Sequence, residues 1–146
     1  MTQDELYQAE LVRLARAATG AGRLEGAQGA ATLDNPLCGD RVTFEVRLDA
    51  GRIAAVAHRV RGCLLCEACA ALLGEAAPGA TVAGVAGARS AAAAMLAQGA
   101  APPEDGRWQR LALFRPVGEV RSRHRCVLLP FEALAEALAR AEKGSP

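Results

Sequence analysis

The sequence predicts an α+β fold in which a small antiparallel sheet, built on a central hairpin, packs against helices. Two observations carry that expectation. Val42, Phe44, Val46 and Leu48 alternate with Arg41, Thr43, Glu45 and Arg47, the period of two of a strand with one buried face. A glycine-containing turn, Asp49-Ala50-Gly51, then sends the chain back through residues 53–60 as the second strand of the hairpin. On both sides of this hairpin the apolar spacing changes to the threes and fours of a helix.

The first helix is expected over residues 4–18. Thr2 and Glu5 have capping-box spacing, Tyr7, Leu11, Leu14, Ala15 and Ala18 share one face, and Gly20 stops it. Residues 20–32, rich in glycine and alanine, read mostly as loop, with a short edge strand as the alternative. After the hairpin, residues 63–73 turn helical and Pro78-Gly79 ends them, so Cys63 lies near a helix N-terminus, where the dipole favours a thiolate. Residues 81–98 are alanine-rich and helical, with Gly84 and Gly87 marking a break. Residues 99–106, with two prolines and two acids, form a surface loop, and residues 108–114 a short helix. The closing helix runs to about Lys143 with Leu129, Leu134, Ala135 and Leu138 toward the core. Pro130 is tolerated in a first turn, which sets the helix start near Cys126.

A chain of 146 residues that is 51% hydrophobic and 23% charged is expected to fold as one domain over residues 1–146. A net charge of +1 directs it to neither nucleic acid nor membrane, and 3% aromatics without basic interleaving argue further against nucleic acid. Residues 1–19 carry no basic start followed by an apolar run, and no stretch reaches the roughly 20 apolar residues of a membrane span. The expected location is the cytoplasm. Five cysteines in such a chain point to metal binding or catalysis rather than a disulfide frame.

The segment Asn35-Pro36-Leu37-Cys38-Gly39-Asp40 sets a thiol and a carboxylate two residues apart at the mouth of a strand, with Gly39 free to turn the backbone between them. Antiparallel pairing returns the end of the second strand to the start of the first, so Cys63 can meet Cys38; Cys126 supplies a third thiol. Cys38, Asp40, Cys63 and Cys126 are therefore the candidate metal ligands. Three thiolates and one carboxylate suit tetrahedral zinc, the oxygen being the more exchangeable donor. The competing reading makes them buried small residues and a turn aspartate.

Cys66 and Cys69 follow Cys63 at helical steps of three. Cys66 is thereby adjacent to Cys63 and could react with it or add a ligand, although packing is the favoured role for both. The run also matches the start of a ferredoxin cluster motif, but Leu73-Gly74 stands where its last cysteine and proline would be. His58 reads as a core or rim residue; His124 is the better alternative ligand, although a role without metal is favoured for it too. Arg121, Arg123 and Arg125 could offset the negative charge of such a site, dock a partner, or form a solvated edge.

With these residues in view, the chain resembles the U-type iron–sulfur cluster assembly proteins, the IscU/NifU N-domain/SufU family. The likeness rests on Asn35-Pro36-Leu37-Cys38-Gly39-Asp40, on Gly62-Cys63, on the basic residue before Cys126 and on the Ala-Leu-rich final helix. Cys126 follows Cys63 by 63 residues, a longer separation than in the IscU branch, and Arg125 stands where that branch has histidine; both features resemble SufU. The resemblance implies an IscU/SufU-like fold, zinc on Cys38, Asp40, Cys63 and Cys126, and Cys38 as the catalytic acceptor of sulfane sulfur from a cysteine desulfurase, a sulfurtransferase-like role. The alternative it implies is a scaffold that assembles a [2Fe–2S] cluster on the same ligands and hands it to apo iron–sulfur proteins. The chain departs from the family at residues 14–23, where a His-Tyr and Pro-Arg-Asn segment is absent, at Phe114-Arg115-Pro116-Val117, and at Cys66 and Cys69, which replace small serines.

Overall fold

The computed structural model describes residues 2–144. It opens with α1 (Gln3–Ala17), capped by the Thr2 hydroxyl, which accepts the Glu5 amide at 3.1 Å as the capping spacing anticipated. Three strands follow, β1 (Gly29–Asn35), β2 (Asp40–Asp49) and β3 (Arg52–Arg61), in an antiparallel meander of order β1-β2-β3. Val42, Phe44 and Val46 are fully buried, and their partners in register include Val60, His58 and Val56 on one side and Leu33, Ala31 and Gly29 on the other. The opposite face carries Thr32 against Thr43 and Arg59 against Glu45.

Between α1 and β1 the chain is loop as expected, and from residue 29 the edge-strand alternative holds, as β1. Its alanines and glycine have little strand propensity of their own, and seven backbone pairings with β2 hold them extended. Small residues are needed there because α4 (His124–Lys143) lies on the strand: a Cβ at Gly29 would sit 2.6 Å from the Ala141 amide nitrogen.

α2 (Leu64–Ala76) packs beside α4 and against α1, and α3 (Val82–Gln98) packs on α4 and on a long 3-10 segment, Gln109–Glu119, that extends past the short helix expected at 108–114. The break expected at Gly84 and Gly87 does not occur. The Thr81 hydroxyl accepts the Gly84 amide at 2.9 Å, fastening the first turn, and the alanines beyond sustain the helix. Nor does Pro130 lie in a first turn: α4 begins at His124, so the proline occupies a second turn and leaves the Cys126 carbonyl without its helical donor. Among the described residues no helix is long and apolar enough to cross a membrane.

Candidate metal centre

Asn35 and Asp40 pair across the β1–β2 connection, and the four residues between them make the turn. The Asn35 carbonyl accepts the amides of Cys38 (3.2 Å) and Gly39 (2.8 Å), and its side-chain oxygen accepts that of Leu37 at 3.3 Å. Gly39 takes φ 74°, a conformation costly for any residue with a Cβ. Cys38 is left exposed at the tip and Asp40 is buried at the root.

The β2–β3 ladder brings Arg61 opposite Arg41, so the chain leaving β3 passes directly over Asp40. The Cys63 amide donates to Asp40 Oδ1 at 3.0 Å. Gly62 makes the crossing feasible, since a Cβ there would come within 2.9 Å of the Asp40 carboxyl carbon. That requirement was not legible in the sequence, where Gly62 stood only as part of a motif.

Donor atoms of Cys38, Asp40 and Cys126 lie within 4.8 Å of one another. Metal–ligand bonds of about 2.0–2.3 Å put tetrahedral donors about 3.5 Å apart, so modest side-chain movement brings all three onto one ion. Cys63 is outside this mutually close group, although it caps α2 half-buried and borders Cys126. Burial, then Cys63 and Asp40, push the Cys126 thiol up, so without a cation it is held protonated. Asp40 Oδ2 is buried with no hydrogen-bond partner. A buried, unpartnered carboxylate oxygen beside two thiols is a donor set that a divalent cation satisfies, and the residues fit a metal.

The remaining candidates go elsewhere. His124 Nε2 donates to the Gly118 carbonyl at 2.9 Å. His58 is 3% exposed and Nε2 donates to the Thr19 carbonyl at 2.8 Å, the core role expected of it. Arg125 pairs with Glu132 at 3.2 Å, while Arg121 and Arg123 remain exposed. Cys66 and Cys69 are fully buried, in keeping with packing, and burial raises both thiols.

A family model described as NifU-like N terminal domain matches residues 6–113, a stretch that contains Cys38, Asp40 and Cys63. No curated protein matches the chain. Among solved structures it is similar to a nitrogen-fixing NifU-like protein (N-terminal) from Brucella abortus, at 29% identity over 97% of this chain and 98% of that one, with a TM-score of 0.89. It is also similar to a protein described only as hypothetical, at 26% identity over 93% and 98% with a TM-score of 0.83. A putative iron–sulfur cluster assembly scaffold protein for the SUF system from Fervidobacterium islandicum AW-1 shares the fold, at 23% identity over 94% and 99% with a TM-score of 0.82. The match over residues 6–113, on a fold that these structures share nearly end to end, establishes that the chain belongs to the NifU-like N-terminal domain family, a U-type iron–sulfur cluster assembly family.

Proposed function

We propose that the chain binds zinc through Cys38, Asp40, Cys63 and Cys126 and accepts sulfane sulfur from a cysteine desulfurase for delivery to apo iron–sulfur proteins. The observation that carries this reading is the convergence of Cys38, Asp40 and Cys126, from two distant segments, around a buried carboxylate oxygen with no other partner. Bound zinc would keep the thiols ionised and restrained.

Cys38 is the acceptor because it alone of the four stands exposed, on a turn whose neighbour Leu37 is 95% exposed. Its thiolate attacks the outer sulfur of the partner's persulfide. A new S–S bond forms on Cys38, the donor's S–S bond breaks, and the donor cysteine leaves as thiolate. Asp40, buried and fastened by the Cys63 amide, stays behind as an anchor while Cys38 moves. Exposed Leu64 and Val120, with Arg123 beside them on a groove of about 460 Å³, support a docking face for the desulfurase next to the site.

Elemental analysis after anaerobic purification tests the reading, together with mass analysis of Cys38 after incubation with a desulfurase and cysteine. Expected are one zinc per chain in the wild type, loss of it in Asp40→Ala, and one added sulfur on Cys38 that Cys38→Ser does not take. A cluster that forms with iron and sulfide in place of zinc, and passes to an apo-protein, would replace sulfur transfer by the scaffold role. Equal sulfur uptake by Cys38→Ser would sink the acceptor assignment.

A further inference from the structure

We propose that Leu37 is the anchor on which the sulfur-donating desulfurase docks, seated there in an apolar socket rimmed by carboxylates. Among the described residues four large apolar side chains stand exposed, Leu6, Leu37, Leu64 and Val120. One such residue alone is ordinary on a protein surface. Three of these four gather at the metal centre: Leu37 precedes Cys38, Leu64 follows Cys63, and Val120 shares the groove of about 460 Å³ with Leu64, Leu65 and Pro116. Leu6 is set apart, because Asp4, Tyr7, Gln8 and Leu11, at helical steps of three and four, turn another side of α1 to that groove.

Leu37 is the most exposed of the four and stands on an ordered turn. Its amide donates to the Asn35 side-chain oxygen, the amides of Cys38 and Gly39 donate to the Asn35 carbonyl, and the ring of Pro36 fixes the backbone just before it. A partner that covers Leu37 therefore has little backbone left to order, the condition under which an anchor gives up least of its binding energy. Neighbouring Cα atoms are about 3.8 Å apart, so a socket that takes Leu37 brings its rim onto Cys38, the acceptor thiol. Complete burial of one exposed leucine is worth roughly 10- to 100-fold in affinity.

Charge defines the rim of the socket. Arg61 precedes Gly62-Cys63, and Arg121 and Arg123 precede Cys126; all three are exposed, and among the described residues none of them forms an ion pair. Arg41 and Arg125, by contrast, are held by Asp34 and Glu132. Three unpaired guanidinium groups beside an apolar anchor complement a partner surface whose carboxylates surround an apolar pocket, and they steer it to the Cys38 turn most strongly at low ionic strength.

This inference deepens the sulfur-accepting role and rests on it for the identity of the partner. The full chain, purified anaerobically, is titrated with a cysteine desulfurase by calorimetry in the absence of cysteine, so that no sulfur moves. Sulfur uptake by Cys38 is followed separately, with cysteine persulfide as the donor. Leu37→Ser is expected to bind the desulfurase roughly 10- to 100-fold more weakly while taking sulfur from cysteine persulfide at the wild-type rate. Leu37→Met should keep most of the affinity, and Leu6→Ser should match the wild type. Replacing Arg121 and Arg123 together by serine should weaken binding at low salt and have no effect at high salt. The proposal is overturned by a wild type that binds no desulfurase, by unchanged affinity in Leu37→Ser, or by an equal loss in Leu6→Ser. Slower uptake from cysteine persulfide by Leu37→Ser also overturns it, since that would mark a disturbed turn rather than a lost dock. A desulfurase that binds through Leu37 yet never passes sulfur to Cys38 would defeat the proposed function and leave the anchor standing.

Discussion

Two side-chain atoms among the described residues are buried without a hydrogen-bond partner, Asp40 Oδ2 at the start of β2 and His58 Nδ1 on β3, and they sit in opposite surroundings. Around Asp40, the thiol of neighbouring Cys38 converges with that of Cys126, which is remote in the chain. Around His58 there is the Phe44 ring, with centroids 5.4 Å apart, and a backbone loop. The Thr19 carbonyl takes the Nε2 proton, the His58 amide donates to the Gly20 carbonyl at 2.9 Å, and the His58 carbonyl accepts the Gly22 amide at 2.9 Å. The loop after α1 is thereby latched to the edge of β3. An orphaned polar atom marks a binding site when further donors face it; when only apolar and already satisfied groups do, it marks a cost of packing.

The sharpest way to break this comparison is to remove each orphan. Asp40→Ala is expected to lower zinc affinity by more than the roughly 10- to 100-fold that supporting residues cost, while the metal-free protein changes little in stability, because relief of a buried carboxylate offsets the lost bond from the Cys63 amide. His58→Phe should do the reverse, leaving zinc stoichiometry intact and costing about 1 kcal/mol for the lost bond to Thr19 in denaturant titration. If His58→Phe released the metal, the two atoms would not differ in kind.

Gly62→Ala comes next. The added methyl presses on the Asp40 carboxylate and should weaken zinc binding by roughly 10- to 100-fold, the scale of a displaced supporting contact. Competition with a chelating dye measures it. Unchanged affinity would mean that the carboxylate does not depend on the crossing of the chain above it.

The smallest effect is one of pH. Burial holds the His58 imidazole below its ordinary range, so the folded state resists the proton that the unfolded chain accepts. Stability of the metal-free protein is therefore undiminished above the unfolded value of about 6.5 and falls as pH drops below it, by up to about 1.4 kcal/mol per pH unit until the folded group itself titrates. His58→Phe should flatten the curve in that window and leave the loss below about pH 4.5, where Glu45, held low by Arg59, takes up its proton. A wild-type curve already flat between pH 6.5 and 5 would remove His58 from this role.

What could be read along the chain is what local chemistry controls. Alternation over residues 41–48 and a glycine turn determined the β2–β3 hairpin, whose antiparallel pairing returns the end of β3 to the start of β2. Gly39 at a positive φ and the capping of α1 by Thr2 followed from backbone sterics and hydrogen bonding within a few residues. Strand β1 stayed open between loop and edge strand because Gly29, Ala30 and Ala31 carry no strand preference, and only pairing with β2 and the close approach of α4 make them one. The same holds for the need for glycine at 62 and for the separation of Cys63 from the group that holds Cys38, Asp40 and Cys126. Each depends on distances between segments far apart in the chain, which periodicity and propensity do not encode and which packing alone decides.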